Sequence, residues 1–244
     1  MDFFTKGANS LFNTPLLAAG FCGLMLAGGC SQLPGASKEA KPFHTGPKIP
    51  AENLPDYAVG ESFIFDDGRT DTVIETDGET ISWRDDRGIV RWIHRNFLLP
   101  DIAWQNRTRR SKSVTTAAPD MLWPLAIGNT ARFDYQQQVE ANNGASKREY
   151  KQSWQCLVEG TQSLNVPAGT FNVFKIPCHR YVDGTNSWRQ TRTFYYAPKV
   201  KHYVKRTDTY ASRASRQREL VSYGFNSTAL PGNEQIALNQ AAQK

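Results

Sequence analysis

The sequence predicts an all-β protein, with antiparallel meanders forming a curved sheet, half-barrel or sandwich after a signal peptide and a Pro-rich tether. Three observations predict it. Turn dipeptides recur at a spacing of ten residues, at Asp67-Gly68, Asp77-Gly78 and Arg87-Gly88. Ala131, Phe133, Tyr135, Gln137 and Val139 alternate with more polar neighbours. Thr, Tyr, Val, Phe, Trp and Arg dominate the middle of the chain, where helical periodicity is scarce. The expected divisions are a signal over 1–29, a flexible tether over 30–56, a four-stranded meander over 57–100, a basic connection over 101–120, an antiparallel region with a disulfide over 121–225 and a polar tail over 226–244.

The N-terminus carries Lys6 and then an apolar run ending in Phe21-Cys22-Gly23-Leu24-Met25-Leu26. Small residues precede Cys30, as a cleavage site requires. A retained transmembrane helix is the rival reading. It needs about 20 apolar residues, and Asn9, Ser10, Asn13, Thr14 and Pro15 interrupt the run. Leu26-Ala27-Gly28-Gly29-Cys30 resembles the lipobox of bacterial lipoproteins, with Ala27 standing where Leu is usual. The resemblance implies removal of the signal before Cys30, diacylation of its thiol and acylation of the new N-terminus. Each buried acyl CH₂ contributes about 0.8 kcal/mol, so three chains make a permanent membrane anchor. Ser31 follows in place of Asp, which in the enteric sorting rule implies the outer membrane, facing the periplasm. The tether holds Pro34, Pro42, Pro47, Pro50 and Pro55, a composition that makes extended spacers. His44 in it is expected to be solvated.

The net charge of +6 is unevenly spread. Residues 51–86 hold 11 acidic and 2 basic side chains, net −9. Residues 187–219 hold 9 basic and 2 acidic, net +7. Two neighbouring solvated faces that attract one another explain this most simply; a basic face toward lipid phosphates is the functional alternative. A nucleic-acid role is excluded for an exported chain.

If each turn dipeptide fills a two-residue hairpin loop, Phe63 pairs with Thr72, Ile74 with Ile81, and Trp83 with Trp92. One face then collects Phe63, Phe65, Ile74, Ile81, Trp83, Val90 and Trp92. Residues 101–120, with Arg107, Arg109, Arg110 and Lys112, read as an exposed loop or short helix.

In the second half, Asn142-Asn143-Gly144 turns the chain, and Tyr150, Trp154, Cys156 and Val158 share the face of the next strand. A hairpin symmetric about Pro167 places Cys156 opposite Cys178. Opposed residues sit about 4.5–5.5 Å apart, within disulfide reach, and an exported protein meets an oxidising compartment. A disulfide is expected; two buried thiols are the rival reading. Asp183-Gly184 marks another turn. Strands follow over 188–196, with Arg192, Phe194 and Tyr196 on one face, over 200–210, and over 216–225 with Val221, Tyr223 and Phe225 aligned.

Val166-Pro167-Ala168-Gly169-Thr170-Phe171, Arg192-Thr193-Phe194-Tyr195-Tyr196-Ala197-Pro198 and Lys201-His202-Tyr203-Val204-Lys205-Arg206 together resemble an uncharacterised group of proteobacterial envelope proteins. The resemblance covers about residues 121–225. It implies a curved antiparallel sheet distantly similar to lipoprotein carriers, and no functional residues carry over.

Catalytic motifs are missing. His44, His94, His179 and His202 show no metal-ligand spacing, and no cofactor is implied. Asp66-Asp67 and Asp85-Asp86 sit beside turns, where acids cap the backbone. The expected function is non-catalytic: a membrane-anchored envelope lipoprotein binding a lipid or glycolipid through Trp83 and Trp92 and a basic rim of Arg189, Arg192, Lys201, Lys205 and Arg206. Docking on another envelope protein is the alternative. A cell-wall glycan enzyme ranks last, since no converging carboxylates are visible.

Overall fold

A computed structural model describes residues 46–182, 185 and 187–225. The signal, Cys30, His44, the Asp183-Gly184 turn and the polar tail lie outside the described residues.

Thirteen antiparallel strands form one sheet. They are β1 (Glu61–Phe65), β2 (Thr70–Thr76), β3 (Thr80–Asp85), β4 (Val90–His94), β5 (Ala103–Gln105), β6 (Arg109–Thr115), β7 (Thr130–Ala141), β8 (Lys147–Leu157), β9 (Gly160–Val166), β10 (Gly169–Val182), β11 (Trp188–Ala197), β12 (His202–Tyr210) and β13 (Arg216–Phe225). β13 pairs with β1, and β10 pairs with both β8 and β11. The curved sheet therefore closes on itself as a twelve-stranded barrel. β9 stands outside the ring, paired with the first half of β10. Closure leaves neither half of the chain with free barrel edges.

Three expectations change. The first is register in the N-terminal meander. The loops Asp66–Gly68 and Asp86–Gly88 have three residues, not two. Phe65 N–H donates to Arg69 O (2.9 Å) and Asp85 N–H to Ile89 O (3.0 Å). The third loop residue must adopt positive φ, which glycine supplies at Gly68 (+78°) and Gly88 (+75°). Phe63 therefore faces Asp71, Val73 faces Trp83, and Trp83 faces Arg91. The strand bulges at Ile74. Phe63, Phe65, Ile81 and Trp83 are buried as expected. Val73 and Ile93 replace Ile74, Val90 and Trp92 on the inner face, because each three-residue loop inverts the strand that follows it, β2 and β4, while the bulge at Ile74 restores the expected parity in β3. Asp71 and Arg91 come inside with them.

The second change concerns residues 101–120. They supply β5 and β6, which join the N-terminal meander to β7. The short β5 and the polar β6 had too little apolar alternation to be read as strands. The third concerns the end of the tether. Glu52 and Leu125 exchange backbone hydrogen bonds of 3.2 and 2.7 Å, and Thr161 Oγ1 donates to Pro47 O at 2.7 Å. Gly46 packs so closely on Thr161 that an added Cβ would lie 1.9 Å from its carbonyl oxygen.

β7, β8 and β10 to β13 lie close to the expected strands, β9 is an addition, and one disulfide between β8 and β10 joins Cys156 and Cys178 (Cα–Cα 4.0 Å). The β9–β10 hairpin is centred between Pro167 and Ala168, half a residue from the expected axis. An irregularity over Val158-Glu159 lets the cysteines face each other all the same. The acidic 51–86 and basic 187–219 segments are neighbours in the ring, joined through β1 and β13. Arg218 reaches Asp67 (2.6 Å) between them.

The barrel ends are unlike. Short turns close one end, at 66–68, 86–88, 106–108 and 142–146. The other receives the long segments 95–102 and 116–129 and the incoming residues 46–60. Phe97, Leu98, Leu99, Leu122 and Leu125 from these segments are buried. Phe97 stacks on Tyr196 (5.6 Å) and meets Phe194 edge-on (5.6 Å). Asn96, fully buried, staples this plug. Its Nδ2 donates to Met121 O (3.0 Å), and its Oδ1 accepts from Trp123 Nε1 (3.0 Å).

Candidate ligand-binding site in the barrel lumen

Inward positions on a barrel strand recur every second residue, so each strand carries a file of side chains into the lumen. β10 brings Cys178 and then Arg180; β11 brings Gln190, Arg192 and Phe194; β8 brings Gln152 and Trp154. The apolar plug fills one end, and beside it, with the plug's Phe97, Leu98 and Leu99 on one side and a mixture of aromatic, amide and charged side chains on the others, is a cavity of about 280 Å³. That is close to the small end of ligand-binding pockets, about 300 Å³.

The cavity wall is charged. Asp71 Oδ1 accepts from Arg69 Nε (2.8 Å) and the Arg91 guanidinium (2.5 Å). Burial still pushes the Asp71 carboxyl up against the pull of Arg69. Asp208 accepts from Gln190 Nε2 (2.7 Å), Arg192 Nε (2.7 Å) and Arg206 Nε (3.1 Å). Burial works to raise its carboxyl, but Arg192 and Arg206 outweigh that and hold it below the usual carboxylate range. Arg206, deeply buried beside Arg192, is lowered by desolvation first and by that neighbour second.

Two lumen charges differ. Asp101, on the 95–102 segment, has no hydrogen-bond or ion-pair partner among the described residues; burial pushes its carboxyl up to about 6, with Arg192, Arg69 and Arg206 opposing. Arg180 has no carboxylate partner among the described residues, and its Nε is buried without an acceptor. Trp83 Nε1 and Trp154 Nε1, both on the cavity wall, are likewise unpaired. Three of the six buried unpaired side-chain donors among the described residues thus line one cavity.

His202 lies at the plug side. Its Nδ1 sits 2.8 Å from the Tyr57 hydroxyl, and its ring lies against Phe63 (4.4 Å) and Trp83 (5.5 Å). Burial pushes its imidazole down to about 3, so it is a neutral packing residue near neutral pH. Tyr135 Oη bonds Ser113 Oγ at 3.0 Å, and burial pushes the phenol up to about 12.

The expected binding residues do not form one surface. Trp83, Arg192 and Arg206 line the lumen. Trp92 pairs with Ser82 and Ala103 on the opposite face of β4. Lys205 faces outward, bonded to Glu219 (2.8 Å). Lys201 occupies a turn at φ 60°, and Arg189 is exposed at the start of β11. The described residues form no basic rim, because Arg192, Phe194 and Arg206 face the lumen while Lys205, one residue before Arg206, faces the other way. Arg180, Trp154 and Asp101 were missed. Extending the inward series Phe174-Ile176-Cys178 by two residues reaches Arg180. Asp101 gave no signal, since only the tertiary fold inserts its loop.

Asp66-Asp67 and Asp85-Asp86 do serve turns. Asp67 Oδ1 accepts from Arg69 N–H (3.3 Å) and Asp85 Oδ1 from Ile89 N–H (2.8 Å), whereas Asp66 Oδ1 reaches across to Glu219 N–H on β13 (2.9 Å).

No family model and no curated protein matches the chain. Among solved structures it is similar to the hypothetical lipoprotein YmcC from Escherichia coli K12, at 12% identity over 66% of this chain and 82% of that one (TM-score 0.44). It is also similar to a provisionally named exported protein with a YmcC-like fold from Bacteroides fragilis, at 12% identity over 71% and 99% (TM-score 0.41). A third is a provisionally named lipoprotein from Parabacteroides distasonis, at 10% identity over 71% and 97% (TM-score 0.34).

Proposed function

We propose that this chain is a non-catalytic envelope lipoprotein, anchored through acyl groups on Cys30, whose barrel lumen holds the sugar head of a glycolipid. The observation that carries the reading is the division of the lumen. Apolar side chains are spent on the plug, leaving a cavity walled by aromatic faces such as Trp83 and Trp154, by the amides of Gln137, Gln152 and Gln190, and by arginines. An acyl chain needs a continuous apolar tunnel, and charged groups desolvated against it would go unpaired. A hydroxylated ring stacks on aromatic faces and exchanges hydrogen bonds with amides and charges. The lipobox supports the anchor. Among the described residues lining the lumen, Asp101 is the one carboxylate without a partner, since Asp71 is held by Arg69 and Arg91; this favours binding over glycan hydrolysis, which uses a pair.

Native mass spectrometry of the full protein, purified from its own envelope membranes, tests this. The expected spectrum shows the acyl mass on Cys30 and a non-covalent saccharide-bearing adduct, reduced at least tenfold in a folded Gln152→Ala, Gln190→Ala variant. An adduct of free fatty acid, or an adduct-free chain bound stoichiometrically to another envelope protein, would overturn it; the second result favours docking.

A further inference from the structure

Resting on that reading, we infer that the ligand's sugar head is acidic, and that its carboxylate or phosphate is received by an anion subsite made of Arg180, Trp154 and Arg192. Arg180 and Trp154 are directly opposite each other on β10 and β8. Both side chains line the same cavity, and each carries a buried N–H donor with no partner among the described residues. Arg192 stands over the Trp154 ring, 5.9 Å from its centroid.

The distribution of partners singles out this corner. Arg69 and Arg91 share Asp71, and Arg192 and Arg206 share Asp208. Arg218 holds Asp67. Arg180 is the lumen arginine left without a carboxylate among the described residues. Desolvation and then the charge of Arg192 lower its basicity, a repulsion that an arriving anion relieves. Buried donors left unpaired cost free energy, and donors alone, with no acceptor among them, select an oxyanion. A guanidinium fork and an indole N–H suit planar carboxylate or phosphate oxygens. Asp101 offsets part of the Arg192 charge, along with those of Arg69 and Arg206, but not that of Arg180. Its unpaired carboxylate is an acceptor for sugar hydroxyls elsewhere in the cavity, so the ligand is oriented with its acid toward Arg180.

The test uses the detergent-solubilised full chain with three probes: glucuronate, glucose 1-phosphate and glucose. Affinities come from titration, and the Trp154 indole N–H signal in a ¹H–¹⁵N spectrum reports the corner. The expected result is that one acid binds at least tenfold more tightly than glucose and shifts the Trp154 signal. Arg180→Gln abolishes that preference, and Arg189→Gln, the same charge change on the outer surface, leaves it. Preference for glucuronate assigns a carboxylate; preference for glucose 1-phosphate assigns a phosphate. Should Arg180→Gln fail to fold, Trp154→Phe keeps the ring and deletes the donor, and should weaken the acid about threefold or more with glucose unchanged. Glucose binding as tightly as both acids, or a preference that survives these changes, overturns the anion subsite and leaves the sugar-binding lumen standing. Failure of all three probes to bind overturns both.

Discussion

Asp101, partly buried at the cavity, and His202, buried at the plug, are titratable groups with opposite effects on the stability of the barrel. Burial pushes the Asp101 carboxyl up to about 6, so between about pH 4 and 6 the folded state binds more protons than the unfolded state, and stability falls as pH rises. The His202 imidazole is pushed down to about 3. Its stabilising contribution is complete above the unfolded value near 6.5 and is lost as pH falls toward 3, at up to about 1.4 kcal/mol per pH unit. The two slopes oppose each other between pH 4 and 6. Asp101→Asn should therefore melt higher than the parent at pH 7.5, lose that advantage toward pH 4, and show a steeper acid limb. His202→Gln should flatten the acid limb. Melting temperatures from pH 4 to 8 check this, and parallel curves for parent and Asp101→Asn would contradict it.

At the scale of elements, turns decided which residues meet. Gly68 and Gly88 were legible as turn glycines, but loop length was not. A three-residue loop with a left-handed glycine and a two-residue loop both put Gly after a polar residue. That one residue moved Trp92 out of the lumen and Arg91 in. The β8–β10 contact was readable, because Cys156 and Cys178 lie on the apolar parity of their strands. Their bond closes a loop with a sequence separation of 22 residues, which on the chain-entropy account is worth about 3 kcal/mol. Replacing both cysteines with alanine should lower the unfolding free energy by about that amount in denaturant titration, with β8 and β10 still paired. A loss under about 1 kcal/mol would show that barrel closure through β11 already provides the constraint.

The described strands, β9 apart, form one closed ring, with neither half a domain of its own. β4 leads into β5 and β6, these into β7, and β13 returns to β1. A fragment spanning 57–120 would expose β1 and β6 as open edges and lose the lid of Phe194, Tyr196 and His202 over Trp83 and Phe97. Expressed alone it should lack cooperative unfolding, whereas the full chain should unfold in one transition by both tryptophan fluorescence and circular dichroism. A fragment with its own sharp transition would mean that the ring is built from separable halves.

What the sequence determined by itself was local. Period-two alternation at Phe133 and Tyr135, turn chemistry at Asp-Gly pairs and the parity of Cys156 and Cys178 are written in neighbouring residues, so the longer strands, their antiparallel order and the disulfide could be read, while β5, β6 and the meander's register could not. Closure of the barrel, the burial of Asp71, the placing of Asp101 on the cavity wall, and the meeting of Arg180 with Trp154 and Arg192 were decided only by the tertiary structure. Each depends on register summed around twelve strands and on a loop inserted between them, and the energy of a buried charge is set by partners that lie far away along the chain.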